Sequence, residues 1–267
     1  MTRVLSGAIL VALAVAVVWL APAWLLFLAA ETIAALAFVE YARLADACQL
    51  PIPKIVSGAA TMLGVVGVTT TRWADDQIVG TAVALDAVLM SAFVVIGAMT
   101  LAAWQGGRDA LGRAAAAMFP VLYLGLPIGA LVAIRSREAL FLLMLTVMVS
   151  DTAQFYAGRA FGRRLLAPAI SPKKTVEGAM GGFVFGAAIM TIAGAWWLPA
   201  IPAALRALIG AGVVALGIAG DLFESMLKRS AGVKDSSGLI PGHGGVLDRI
   251  DALLFAAPVY YLVVKYL

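Results

Sequence analysis

Apolar residues run along this chain in stretches long enough to cross a bilayer, separated by short polar intervals. A helix needs about 20 apolar residues to span the hydrocarbon core. On that measure the sequence predicts spans at 4–20, 24–43, 55–70, 80–103, 115–134, 139–160, 178–197, 205–228 and 250–266. Turn residues separate several of them: Pro22, the run Leu50-Pro51-Ile52-Pro53, Gly106-Gly107, and Pro199 with Pro202. A lone proline also sits within kinked spans, so Pro22 is the weakest of these breaks. The first stretch outruns a signal-peptide core and lacks an obvious cleavage signature, and it reads as a retained span. The predicted fold is therefore all-α, a polytopic integral membrane protein of nine helices. It is expected to form a single integral membrane domain, with apolar spans over 1–150 and the polar motifs over 151–267.

Composition agrees with the pattern. Of the 267 residues, 63% are hydrophobic and only 13% charged, where a soluble domain is about 45–50% apolar and a quarter charged. One cysteine, Cys48, excludes an intramolecular disulfide framework, and with the single histidine, His243, it cannot build a zinc cage. The net charge of +4 comes with no basic helix or aromatic-interleaved basic patch, so nucleic acid is not an expected partner. A modest basic excess in a membrane protein reports orientation and anionic headgroups instead.

With nine spans, 14 of the 19 basic residues fall on the N-terminal side. The positive-inside rule then makes the N-terminus cytoplasmic, together with the two richest loops, 161–177 and 229–249.

Charge concentrates in the second half: seven of the fifteen acids and ten of the nineteen bases lie between Asp151 and Asp251. Asp151 and Asp221 sit at or inside the end of an apolar helix, where a carboxylate costs at least about 2.5–3.5 kcal/mol and must find a cation, a metal or water. Asp151, Gln154, Phe155 and Gly158 share one helix face. Downstream, Ser171-Pro172-Lys173-Lys174-Thr175-Val176-Glu177-Gly178 has two readings. Its lysines and hydroxyls at the mouth of a glycine-rich helix suit an anionic ligand. The same residues also suit a helix start, with Ser171 or Thr175 as cap and Glu177 on the positive dipole end.

A denser cluster follows. Asp221, Glu224, Ser225 and Lys228 fall on one helix face, and Arg229, Lys234 and Asp235 come after them. Oxygen ligands of this kind suit a hard cation such as Mg²⁺, which takes one or two carboxylates and a substrate phosphate. Gly242-His243-Gly244-Gly245 could turn backbone N–H groups toward phosphate. His243 offers a near-neutral side chain, or is simply a loop residue between glycines. Asp248, Arg249 and Asp251 open the last helix, where one acid would suffice as a cap and two are present. Neither a nucleophile elbow nor a P-loop accompanies them.

The run Ser225-Met226-Leu227-Lys228-Arg229, four residues, Lys234-Asp235, then Pro241-Gly242-His243-Gly244-Gly245-Val246-Leu247-Asp248-Arg249-Ile250-Asp251 resembles the signature of the phosphatidate cytidylyltransferases, or CDP-diacylglycerol synthases. Ser171 to Gly178 resembles that family's second motif, with Val176 where an aromatic residue is common. The specific likeness covers residues 151–251; before them only the series of apolar spans is similar. The resemblance implies transfer of cytidylyl from CTP to phosphatidic acid, giving CDP-diacylglycerol and pyrophosphate, in an enzyme that needs Mg²⁺ with a monovalent cation such as K⁺ suggested nearby. It implies Asp221 and Asp248 as first metal ligands, Glu224 and Asp251 next, and phosphate contacts from Lys173, Lys174, Lys228, Arg229, Lys234 and Arg249. Asp221, Asp248, Lys228 and Arg249 are then the expected catalytic set. Asp151, Ser171, Thr175, Glu177, Ser225, Asp235, Gly242, His243, Gly244 and Gly245 join the lysines and Arg229 in binding substrate. The family resemblance alone points to a homodimer in the inner membrane.

Two other classes stay in view. Intramembrane acids and bases also mark secondary transporters of anionic solutes, but those show two related halves, and no matching motif precedes Asp151. A polyprenol kinase or an ether-lipid cytidylyltransferase is a nearer rival. Glu31, Glu40 and Asp86 have no assigned task; Glu31 and Glu40, nine residues apart, fall on roughly opposite helix faces.

Overall fold

A computed structural model describes residues 2–75, 85–104, 106, 109–240, 242 and 244–267, and the described residues are 80% helical. The described helices are α1 (Thr2–Leu20), α2 (Ala23–Ala47), α3 (Lys54–Asp75), α4 (Leu85–Ala102), α5 (Ala110–Pro120), α6 (Leu126–Ala133), α7 (Arg137–Phe161), α8 (Val176–Trp197), α9 (Ala203–Ser230) and α10 (Leu247–Tyr266). A π turn, Val121–Gly125, joins α5 to α6. Two short strands, β1 (Leu165–Ala167) and β2 (Ser171–Thr175), pair antiparallel, with Leu165 opposite Thr175 and Ala167 opposite Ser171.

Six helical stretches are long and apolar enough to cross a membrane: α2, α4, the α5–α6 stretch Ala110–Ala133, α7, α8 and α9. Each coincides with a predicted span. The other three predicted spans fall on α1, α3 and α10, which are helical but do not meet the same measure among the described residues. For α10 the reason is charge, since Asp248, Arg249 and Asp251 crowd its start and Lys265 its end. Phe93, Val94, Val184, Phe185 and Trp196 stand exposed, an apolar surface of the kind water-soluble proteins rarely leave open.

The chain groups into two compact units. The first comprises the stretch up to Ala133 together with Ser230–Arg249; the second comprises Ile134–Arg229 and Ile250–Leu267. The return of Ser230–Arg249 to the first stretch has a chemical cause. Glu40 of α2 accepts hydrogen bonds from Ser236, Ser237, Val246 and Leu247.

Within the first unit, α3 lies almost backbone to backbone against the π turn and α6. A methyl on Gly125 would come within 2.7 Å of the Thr61 carbonyl oxygen, and one on Gly129 within 2.8 Å of Val68 Cβ. The π turn sits between Pro120 and Pro127. Pro127 offers no N–H, and in a regular α-helix its ring would clash with the carbonyl four residues back, at Tyr123, a conflict that a wider turn relieves. Tyr41 on α2 donates its hydroxyl to the Ala116 carbonyl at 2.8 Å.

The second unit is built on a glycine seam. Methyls on Gly178, Gly181 and Gly182 of α8 would meet the Gln154 carbonyl oxygen, Ala157 Cβ and Gln154 Cγ of α7 at 2.8, 2.5 and 2.6 Å. Small residues let helices approach closely where lipid supplies no hydrophobic drive, as the stretch Gly178 to Gly182 leads one to expect. Ser136 caps α7, accepting from the Ala139 N–H at 3.0 Å. Arg206 of α9 donates through Nη1 to the Gly194 and Leu198 carbonyls at 2.9 and 3.3 Å. It thus serves the open C-terminal carbonyls of α8. Gly220 lets α10 rest on α9, since a methyl there would strike the Asp251 carbonyl and come within 3.2 Å of Phe255 Cβ. Tyr260 ties α10 to α7 through a hydrogen bond to the Ala139 carbonyl at 3.0 Å.

Residues 171–175 form a strand that the sequence reading did not foresee. Pro172 holds its own φ and keeps Ser171 extended. Thr175 alone then caps α8, accepting from the Gly178 N–H at 3.1 Å.

Candidate active site

Within the second unit, strand alternation decides the fate of the paired lysines. Successive side chains on β2 point to opposite faces. Lys174 turns to Asp221 of α9, with its Nζ 2.5 Å from Oδ2, while Lys173 stays exposed. Ser225, one turn on, places its Oγ 3.4 Å from Asp221 Oδ1. Gln154 donates through Nε2 to Asp151 Oδ1 and to Ser150 Oγ, both at 3.1 Å. Asp251 on α10 lies within electrostatic reach of Asp221, Asp151 and Lys174. Asp151, Asp221 and Asp251, from α7, α9 and α10, thus lie in one electrostatic neighbourhood with Lys174 of β2. Oxygen donors placed in this way suit a hard cation.

The neighbouring predicted residues divide the work. Glu224 is fully buried and its Oε2 lies 2.5 Å from Lys228 Nζ, one turn along α9. Asp221 and Glu224, expected on one face, therefore belong to two separate ion pairs. Arg229 donates from Nε to the Ile170 carbonyl at 3.4 Å, joining α9 to the turn between β1 and β2. Glu177 accepts from the backbone N–H groups of Arg163 and Arg164 at 2.9 and 3.2 Å, fixing the exit of α7. It also lines a cavity of about 360 Å³ with Ala160, Phe161, Gly162 and Arg163. Ser171 is half-buried at the start of β2.

Within the first unit, Asp248 braces the described residues around it. Asp248 Oδ2 accepts from the Ser236 N–H at 3.0 Å, Ser236 Oγ at 2.7 Å and the Gly245 N–H at 2.7 Å. Ile240 donates its N–H to the Gly244 carbonyl at 2.8 Å. Gly242 and Gly244 have φ of 76° and 78°, left-handed values that favour glycine. Lys234, Asp235 and Arg249 are exposed. His243 lies outside the described residues, as does Pro241.

Sequence reasoning left Glu40 without a task, yet four hydrogen-bond donors meet its carboxylate. It is 2% exposed. Its Oε1 accepts from Ser237 Oγ at 2.6 Å and the Val246 N–H at 3.0 Å; its Oε2 accepts from Ser236 Oγ at 3.0 Å and the Leu247 N–H at 2.7 Å. The available signal was its depth in an apolar span, where an ionisable residue needs a partner. Nothing in local spacing names partners some 200 positions away.

Among the described residues, no three or more His, Cys, Asp and Glu side chains close into a metal cage. Mg²⁺ keeps waters and uses one or two carboxylates with substrate phosphate, so it does not require one. Asp221 and Asp251, oxygen donors in one neighbourhood, fit that demand.

Fold and site together define a helical polytopic membrane protein with acids and bases drawn together from several of its helices. The chain matches the model of the Cytidylyltransferase family over residues 1–267 and belongs to that family. It is similar to the phosphatidate cytidylyltransferase of Aquifex aeolicus, 38% identical over 149 residues, or 54% of this chain and 55% of that protein. The enzyme of the same name from Pseudomonas aeruginosa is 48% identical over 118 residues, 44% of each chain. That of Bacillus subtilis is 37% identical over 145 residues, 52% of this chain and 54% of the relative. The chain spans about half the length of the curated relatives it matches.

Proposed function

We propose that the protein is a phosphatidate cytidylyltransferase, converting CTP and phosphatidic acid to CDP-diacylglycerol and pyrophosphate. The observation that carries this reading is the Lys174–Asp221 pair beside Asp251 and Asp151, in a chain of the Cytidylyltransferase family. A phosphate oxygen of the lipid forms a bond to the α-phosphorus of CTP, and the bond to the bridging oxygen of the β-phosphate breaks. Both partners are anionic, the phosphomonoester alone carrying about −1.5 to −2 charge near neutral pH, so catalysis is mainly alignment and charge neutralisation.

Lys174 is the residue we assign to the phosphates, and its present partner Asp221 keeps it in place until substrate arrives. Asp221 and Asp251 would hold Mg²⁺; Asp248 joins them on the strength of the signature alone. When bound, that ion would offset charge on the phosphate oxygens and the leaving pyrophosphate. Glu224 keeps Lys228 oriented on the same helix, and Lys228, Arg229, Lys234, Lys173 and Arg249 supply further positive charge. The lipid phosphate is already ionised, so no general base is required and Ser225 need not act as a nucleophile. Nine spans, a cytoplasmic N-terminus in the inner membrane, a nearby monovalent cation and a homodimer complete the proposal.

The test is product formation by the purified protein in detergent with Mg²⁺ and radiolabelled CTP. Phosphatidic acid should yield CDP-diacylglycerol, while a polyprenol or an ether-linked phosphatidate should react slowly or not at all. Preferential turnover of either alternative would replace the proposal, and anion uptake into liposomes without turnover would make the protein a transporter.

A further inference from the structure

We propose that Glu40 is a positioning residue for nucleotide binding: its carboxylate clamps both ends of the loop over residues 238–245 and so holds the loop's glycines in place. This rests on the cytidylyltransferase reading of the loop. Glu40 sits on α2, a helix apolar enough to cross a membrane, where an ionised side chain is costly without partners. It has four, and among the described residues all are neutral donors from one short segment. Ser236 and Ser237 lie just before the loop; Val246 and Leu247 lie just after it. One carboxylate therefore fixes the two ends of an eight-residue excursion.

Capping alone does not account for this arrangement. A cap for α10 would need only the Val246 and Leu247 N–H groups, and Asp248 already serves Gly245. Yet Glu40 also engages two serines at the far end of the loop. Its fit is close: a methyl on Gly245 would strike Ser236 Oγ and come within 2.5 Å of both Glu40 oxygens. Ser236 Oγ lies 3.0 Å from Glu40 Oε2 and 2.7 Å from Asp248 Oδ2. A hydroxyl has a single hydrogen to share between those acceptors, and Asp248 keeps the Ser236 and Gly245 N–H groups whichever acceptor takes it. Between the clamped ends, Gly242 and Gly244 take left-handed φ values that favour glycine.

A preformed loop lowers the ordering cost of binding, so its loss should raise KM rather than lower kcat. Glu40→Gln keeps the shape but turns an amide NH₂ toward one backbone N–H. Losing about one charge-assisted hydrogen bond corresponds to roughly a tenfold change. Hydrogen exchange over residues 236–249 of the substrate-free protein should accelerate at least about tenfold in Glu40→Gln, with α7 and α8 unchanged. The KM for CTP should rise about tenfold, with kcat and the KM for phosphatidic acid within about threefold of wild type. Ser237→Ala, which removes one donor and spares the carboxylate, should shift both readouts in the same direction by less, and it stands in if Glu40→Gln does not fold. Unchanged exchange in a folded variant, or a fall in kcat with KM unmoved, overturns the proposal. If wild type transfers no cytidylyl, the reading of function fails, and with it the nucleotide role, whereas the exchange comparison still decides whether Glu40 clamps the loop.

Discussion

The glycine seam between α7 and α8 makes a prediction that two residues can test. Adding a methyl at Gly181 would bring it within 2.5 Å of Ala157 Cβ, with the Ala153 carbonyl oxygen at 3.3 Å behind it. Apolar carbons rest about 3.5–4.0 Å apart, so the shortfall is about 1–1.5 Å. Ala157 has no flexible tip to swing aside, and relief requires the helices to part. Overpacking of this kind costs about 1–3 kcal/mol, and we take about 2. Ala157→Gly alone loses its methyl and some helix propensity, about 1 kcal/mol. Combining the two moves the methyl from one helix to the other. The propensity changes cancel and the contact returns. Gly181→Ala sets about 1 kcal/mol of gained helix propensity against about 2 of overpacking and should thus lower stability by about 1 kcal/mol, Ala157→Gly by about 1, and the double variant hardly at all, a coupling of about 2 kcal/mol. Thermal unfolding in detergent, followed by circular dichroism, should show the first as a drop of about 2–4 °C and the double within about 1 °C of wild type. A double variant that loses the sum of the single effects would refute the seam.

Tyr260→Phe removes the hydroxyl that reaches the Ala139 carbonyl across α10 and α7; thermal unfolding should register a loss of about 1 kcal/mol, and no change would mean the bond contributes nothing. Lys174→Met removes the cation paired with Asp221 and should cut kcat/KM for CTP about 100-fold, whereas Lys173→Met, on the opposite face of β2, should cost less than about tenfold. Equal losses in steady-state assays would contradict the strand register.

Much of the helical framework was legible because bilayer length is written directly into apolar runs. Each of the six long apolar stretches falls where a span was predicted. The strand over 171–175 was hidden because Ser171-Pro172-Lys173-Lys174-Thr175 carries no apolar alternation, and its lysines read equally well as a helix mouth. Helical spacing put Asp221, Glu224, Ser225 and Lys228 on one face, but could not tell that Glu224 turns inward to Lys228 while Asp221 meets Lys174, 47 positions upstream. Arg206 spends its guanidinium on carbonyls at the end of α8, which no local pattern announces. Glu40 is the clearest limit of local reading. Its partners are set by tertiary return of the chain, which periodicity does not encode.

The central claim is cytidylyl transfer at the Asp221–Lys174–Asp251 cluster. Its most direct measurement is pyrophosphate release from CTP, dependent on phosphatidic acid, by purified wild type and Asp221→Asn, each with Mg²⁺ or with EDTA. We predict release by wild type only with Mg²⁺ and phosphatidic acid together, falling at least about 100-fold in folded Asp221→Asn. Full activity in that variant, or undiminished release in EDTA, would contradict the account.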